Sequence, residues 1–367
     1  MVTNANIIFR TDASLAIGSG HVMRCLTLAR KLRSVGKVCR FVTRAHQGHL
    51  GKWILKEGFE VDLLPTPQGP PPGGPPTHAH WAGVDWVEDA AQTGAILEAW
   101  PPSWLIVDHY ALDTRWLNAL RSKAVKVMVI DDLADRPLDC DLLLDQNFGH
   151  SAKDYAGLLS NSCSLLIGPK FALLRPEFAT MRANSIAGRT GRGLRKLLIT
   201  MGGVDLVDAT SVVLSALQDA TLGDDIEIKV ILGSSAPALN KVLTLARNIS
   251  CSTLVAVDVT DMSKAMAEAD LAISAGGGTT WERCCLGLPS IIVETAKNQA
   301  GIASEMAAQG AALDPGPLDS KNFSKTLVEM VIKINDPKKL DAMSANASTI
   351  CDGEGANRVL RRLQELT

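Results

Sequence analysis

The chain has 367 residues, 46% of them hydrophobic and 21% charged, and a formal net charge of -2. That length exceeds what one ordinary core accommodates, so two domains are expected. The near-neutral balance supplies no general attraction to nucleic acid or to an anionic membrane, so any phosphate in a ligand has to be gripped locally.

The first ten residues lack a basic start followed by a long apolar stretch, and read as a strand over Ile7–Arg10 rather than a secretory signal. No apolar run approaches the roughly 18 residues that cross a bilayer. The eight cysteines are scattered, and the adjacent pair Cys284-Cys285 cannot form a CxxC metal site. Free thiols in a reducing cytoplasm are expected.

Further strands are predicted at Cys39–Val42, Glu60–Leu64, Trp104–Val107, Lys126–Ile130 and Leu142–Leu144, then at Lys196–Thr200, Glu227–Ile231, Ser252–Val257, Leu271–Ser274 and Ser290–Val293. Amphipathic stretches such as His21–Ser34 and Thr114–Ser122 lie between them. Strand alternating with helix is the pattern of parallel α/β layers, here two doubly wound domains. Seven of the 17 prolines fall in Pro65–Pro76, which excludes helix or central strand and predicts a surface loop. Asn184–Arg195, with three glycines, reads as the linker between a domain over 1–183 and one over 195–350. The tail over 351–367 holds a last helix that could pack back on the first domain.

Four loops at predicted strand ends carry chemistry. The first runs from Arg10-Thr11-Asp12 to Gly18-Ser19-Gly20-His21 and opens a helix. Ligands of open α/β sheets bind at this edge, and a helix start offers unpaired N–H groups. His21 is therefore a candidate base, and Asp12 a candidate for fixing its tautomer. A histidine in a first helical turn is more often merely solvated; the flanking glycines favour function. All seven histidines lie at or before residue 150, so any imidazole chemistry belongs to the first domain. Asp108-His109-Tyr110 follows another strand, with a structural role equally open. Asn147 is a further candidate contact after the Leu142–Leu144 strand.

In the second domain, Ser274-Ala275-Gly276-Gly277-Gly278-Thr279-Thr280-Trp281-Glu282 reads as a phosphate cradle of backbone donors. Glu282 could accept both hydroxyls of a ribose. A capping box of Thr279 and Glu282 is the plain alternative. Gly202 and Gly203 after one strand, and Asn298 and Gln299 after another, complete a nucleotide-diphosphate reading.

These residues resemble the UDP-2,4-diacetamido-2,4,6-trideoxy-β-L-altropyranose hydrolases of pseudaminic acid biosynthesis. The resemblance is carried by Phe9-Arg10-Thr11-Asp12, Gly18-Ser19-Gly20-His21, Asp108-His109-Tyr110, Leu174-Arg175-Pro176-Glu177-Phe178, Met201-Gly202-Gly203-Val204-Asp205 and Lys297-Asn298-Gln299. The second half is also similar to MurG-type glycosyltransferases. The resemblance implies a GT-B fold, α/β, with two Rossmann-like domains and a cleft between them. It implies water attack at the anomeric carbon with inversion, without metal or cofactor, and places the catalytic histidine on His21. Arg10, Gly20, Asp108, His109, Tyr110 and Asn147 become expected sugar contacts. Gly202, Gly203, Val259, Met262, Gly276–Thr279, Glu282, Asn298 and Gln299 become expected UDP contacts. Two features depart from the family: a longer proline-rich loop, and a more MurG-like glycine run. A cytoplasmic monomer is expected, binding a UDP-sugar but neither nucleic acid nor membrane. The rivals are a glycosyltransferase of the same fold and a non-catalytic nucleotide-sugar binding protein.

Overall fold

The computed structural model describes residues 6–124, 126–218, 220, 222–223, 225–296 and 299–367. The chain forms two compact units, Met1–Leu173 with Gly355–Thr367, and Leu174–Glu354.

In chain order the first unit contains β1 (Asn6–Thr11), α1 (Gly20–Arg33), β2 (Val38–Arg44), α2 (Gly51–Lys56), β3 (Glu60–Leu64), α3 (Trp86–Ala99), β4 (Trp104–Asp108), α4 (Thr114–Leu120), β5 (Lys126–Ile130), β6 (Leu142–Asp145) and β7 (Ser164–Ile167). The second contains α5 (Pro176–Arg189), β8 (Lys196–Thr200), α6 (Ala209–Gln218), β9 (Glu227–Leu232), α7 (Leu239–Arg247), β10 (Ser252–Val257), α8 (Met262–Glu268), β11 (Leu271–Ala275), α9 (Thr279–Cys285), β12 (Ser290–Val293), α10 (Ala300–Ala308), α11 (Phe323–Ile334) and α12 (Pro337–Ile350). The last helix, α13 (Gly355–Leu366), belongs to the first unit.

Both sheets are parallel, in the orders β3-β2-β1-β4-β5-β6-β7 and β10-β9-β8-β11-β12. Helices cover both faces of the first sheet, so its central strands read as continuous apolar runs. Leu26, Leu28, Val359 and Leu363 pack on one face, and Leu97, Trp116 and Leu117 on the other. Strand β7 was not expected from sequence; it is a four-residue edge strand. In each sheet the strand order reverses once, between β1 and β4 and between β8 and β11. Ligands of doubly wound folds bind at such switch points.

The first unit ends earlier than the 183 expected from sequence, and the first half of the expected linker is helix. Helix α5 is tied to the second unit by its arginines. Arg182 donates to the carbonyls of Cys285, Ser348 and Cys351, and Arg189 to those of Met266, Ala267, Ala269 and Leu286. Among the described residues no helix is long and apolar enough to cross a membrane.

Candidate functional site

At the first switch point, register sets Thr11 beside Asp108. The loop leaving β1 braces itself: Ser14 Oγ accepts the amides of Ala16 and Ile17 at 3.2 and 2.9 Å, and the Gly18 amide donates to Ser14 O at 2.8 Å. Gly18 has φ +80°, which a side chain would strain. The loop delivers His21 into the first turn of α1, where its Nδ1 meets Asp108 Oδ1 at 2.6 Å.

Arg24, one turn further on, clamps the same carboxylate through Nε at 2.6 Å and a terminal nitrogen at 2.7 Å. Its other terminal nitrogen reaches Asp132 at 2.5 Å, and Tyr110 Oη donates to that same carboxylate oxygen at 2.5 Å. The Tyr110 ring stands edge-on to His21 at 4.6 Å, and Trp81 does so at 6.0 Å. Burial alone would raise the pKa of Asp108; Arg24 and then His21 overcome it and hold the carboxyl well below its usual range. An ionised carboxylate only accepts, so Nδ1 carries a proton, and in the neutral ring the lone pair is left on Nε2. Nε2 makes no hydrogen bond among the described residues, and the side chain is 10% exposed. The arrangement orients an imidazole from behind, and in the neutral ring Nε2 is the nitrogen placed to take a proton.

Several expectations shift. Asp108, not Asp12, orients His21. Asp12 is fully buried and accepts from Arg10 at 2.6 and 3.0 Å and from the Arg44 amide at 2.6 Å. Arg10 also pairs with Asp89, so the expected sugar contact Arg10 and the expected orienting group Asp12 are both absorbed in a buried charge network. His109 is turned inward as well. Its Nδ1 accepts the Ala111 amide, and its Nε2 lies 3.0 Å from Asp12 without hydrogen-bond alignment. Burial lowers its pKa, which keeps the ring neutral. Asn147 donates from Nδ2 to the Asp132 carbonyl at 2.9 Å, bracing the loops after β5 and β6. Gly20 is exposed at the start of α1, with open space around it. Sequence reading missed Arg24, Asp132 and Trp81. Only Arg24 had a local signal, three residues from His21 on one helix face.

At the second switch point Thr200 pairs with Ser274, so the two glycine runs leave adjacent strands. Gly202 has φ +93°. Among the described residues the amides of Gly202, Gly203, Gly277 and Gly278 donate to nothing, and a Cβ at any of the four would meet open space. Gln299 Oε1 accepts from the amides of Gly276 and Thr295 at 3.3 and 2.9 Å, holding two loops together. Asn298 lies outside the described residues. The capping-box alternative is not what forms: Gly278 is the N-cap, and Thr279 Oγ1 accepts from Arg283 instead. Glu282 is pushed up to about 7 by burial, against the opposing pull of Arg175, whose guanidinium is 3.8 Å away. Val259 lines a cavity of about 410 Å³ with Asp258, Thr260, Asp261 and Lys264; Met262 is not among its walls.

Residues 197–359 match the Glycosyltransferase family 28 C-terminal domain. Over 306 residues the chain is 26% identical to the UDP-2,4-diacetamido-2,4,6-trideoxy-beta-L-altropyranose hydrolase of Campylobacter jejuni, covering 83% of this chain and 97% of that protein. The chain resembles that hydrolase. Its fold is that of MurG from Acinetobacter baumannii, with a TM-score of 0.71 at 13% identity over 98% of this chain and 99% of that one. The UDP-GlcNAc 2-epimerase of Neisseria meningitidis, solved with UDP-GlcNAc bound, aligns at 0.67 with 11% identity over 98% and 99% of the two chains. Two Rossmann-like units of this kind make a GT-B fold, α/β throughout.

Proposed function

We propose that the chain hydrolyses a UDP-activated 2,4-diacetamido-2,4,6-trideoxyhexose to UDP and the free sugar, a step of nonulosonic (pseudaminic) acid biosynthesis. The observation that carries the reading is the His21–Asp108–Arg24 chain, which leaves one imidazole nitrogen free to act as a base. In the proposed step, water attacks the anomeric carbon and gives its proton to His21 Nε2. The C1–O bond breaks with its electrons leaving on the phosphate oxygen, and configuration inverts. The unengaged amides of Gly202, Gly203, Gly277 and Gly278 suit the negative charge of a diphosphate leaving group, as preorganised donors that need no reorganisation during the reaction. The resemblance to the Campylobacter hydrolase supports the choice of sugar.

Mass spectrometry of the products formed in oxygen-18 water tests the reading. Label is expected in the sugar and absent from UDP, and both products should form about 1,000-fold more slowly with His21→Ala. Label in UDP would refute C–O cleavage. A second reading, transfer to a sugar or lipid acceptor, is favoured by the family 28 match and the MurG-like fold. UDP release without any acceptor speaks for hydrolysis; strict dependence on an added acceptor speaks for transfer.

A further inference from the structure

Under the glycine run of the second unit lies a buried cation that the proposed reaction leaves unused. Arg283 is 1% exposed and turns its guanidinium beneath the connection from β11 to α9. All its N–H donors are engaged. Nε donates to Ser290 Oγ at 3.1 Å; one terminal nitrogen to Ser274 Oγ at 2.7 Å and Thr279 Oγ1 at 3.1 Å; the other to the Ala275 carbonyl at 3.3 Å and Thr280 Oγ1 at 3.1 Å. Every acceptor is neutral, and no carboxylate pairs with it among the described residues.

Buried arginines ordinarily find a counter-charge, because an unanswered charge in a low-dielectric interior is costly. This molecule follows the rule elsewhere: Arg10 and Arg44 pair with Asp89, and Arg24 with Asp108. Arg189 also bonds only neutral oxygens, but these include carbonyls at the C-terminal end of α8, where partial charge is negative. The acceptors of Arg283 are mostly side-chain hydroxyls, which carry no formal charge and stand at no helix C-terminus. Nearby, the amides of Gly277 and Gly278 present positive ends with no acceptor among the described residues. The cation and the free amides therefore add to one another. Burial draws the pKa of Arg283 down only to about 10, so it remains charged near neutrality. Its neighbour Glu282, pushed up to about 7, is only partly ionised there.

We propose that Arg283 is a positioning residue for a diphosphate: from beneath the loop its charge draws the anion onto the Gly277 and Gly278 amides, while its hydrogen bonds hold both ends of the loop in place. The nucleoside rests on the UDP-sugar reading; the diphosphate rests on the unanswered charge.

The test is calorimetric titration of the full chain with uridine, UMP, UDP and inorganic pyrophosphate, in wild type, Arg283→Gln and Arg283→Lys. With glutamine, UDP and pyrophosphate should each weaken by about tenfold or more, UMP by less and uridine hardly at all, since buried charges are little screened. The lysine variant keeps the charge with fewer hydrogen bonds and should retain most of the preference for UDP over uridine. Because the neutral side chain puts the fold at risk, the lysine variant also stands alone: loss of that preference in a folded Arg283→Lys overturns the proposal. So does equal weakening of all the ligands, unchanged UDP binding with glutamine, or a wild type that binds neither UDP nor pyrophosphate. A wild type that binds pyrophosphate but not UDP, with pyrophosphate lost in Arg283→Gln, upholds Arg283 and sinks the UDP-sugar reading.

Discussion

The two units repeat one topology and furnish its switch point in opposite ways. In the first, the edge is crowded with side chains: His21, Asp108, Arg24, Asp132 and Tyr110 join in one run of short hydrogen bonds. In the second, the edge is nearly bare backbone, with the amides of Gly202, Gly203, Gly277 and Gly278 unengaged among the described residues. The contrast follows from what each kind of group can do. Proton transfer needs a titratable atom whose tautomer and direction are held, which takes a partner behind it and a second partner behind that. Holding an anion needs only donors, and a backbone without side chains lets a phosphate come close. One fold can therefore divide chemistry from anchorage without changing its strands.

If the division is real, damage to the first edge should abolish turnover and spare nucleotide binding. Removing the base in His21→Ala is expected to lower kcat about 1,000-fold. The affinity for UDP, measured by calorimetry, should stay unchanged. A comparable loss of UDP affinity would show that the two edges are not separate.

Asp108→Asn sharpens the same point from behind the base. The amide can offer its N–H to Nδ1, which would move the imidazole proton to Nε2 and remove the lone pair facing the ligand. A fall in kcat of about 100-fold is expected with KM little altered. Arg24 would lose its charged partner, so the melting temperature should fall too; a stability loss without the loss of kcat would reduce Asp108 to a packing role.

Gly277→Val attacks the other edge. A Cβ there meets no neighbouring atom, and the backbone of Gly277 is not left-handed, so folding should be unaffected. The added methyl groups occupy space that a diphosphate would need, and the affinity for UDP should drop about tenfold, or about 1.4 kcal/mol. An unchanged affinity would remove this loop from the nucleotide site.

The fold was legible in the sequence wherever a strand is buried on both faces. Ile7–Arg10, Trp104–Val107 and Lys126–Ile130 are apolar runs because helices cover both sides of the sheet. Strand β7 was not legible, since a four-residue edge strand carries too short a pattern. The residues of α5 divide in sequence between the first domain and the linker, because local sequence does not reveal which carbonyls Arg182 and Arg189 will bind. Within the site, His21 could be found from its glycines, but its partner could not. Asp12 and Asp108 both end a strand, and only the register of β1 against β4, together with the turn that Arg10 and Arg44 impose on Asp12, decides between them. Arg283 reads in sequence as an ordinary helix charge; its burial under the loop is a tertiary fact.

The smallest expected effect concerns Glu282, a titrating group one turn into the helix that follows the glycine run. Its carboxyl stands at about 7 in the folded chain, against an ordinary 4.5, because burial outweighs the attraction of Arg175 and Arg283, and Glu177 adds repulsion. A raised carboxyl favours the neutral form, so the fold gains nothing from ionisation. Stability should be full below pH 4.5, decline as pH rises toward 7, and level off above it. Glu282→Gln removes the penalty but leaves Arg175 without its neighbour, so the net gain at pH 8 should be modest, on the order of 1 kcal/mol. Denaturant melts at pH 5 and pH 8 would measure it, the variant showing the flatter profile. The same carboxyl, once ionised, is the better acceptor for ribose hydroxyls, so wild-type affinity for UDP should rise from pH 6 to pH 8 while that of the variant stays level. A flat wild-type profile in both measurements would mean that Glu282 is neither strained nor in touch with the nucleotide.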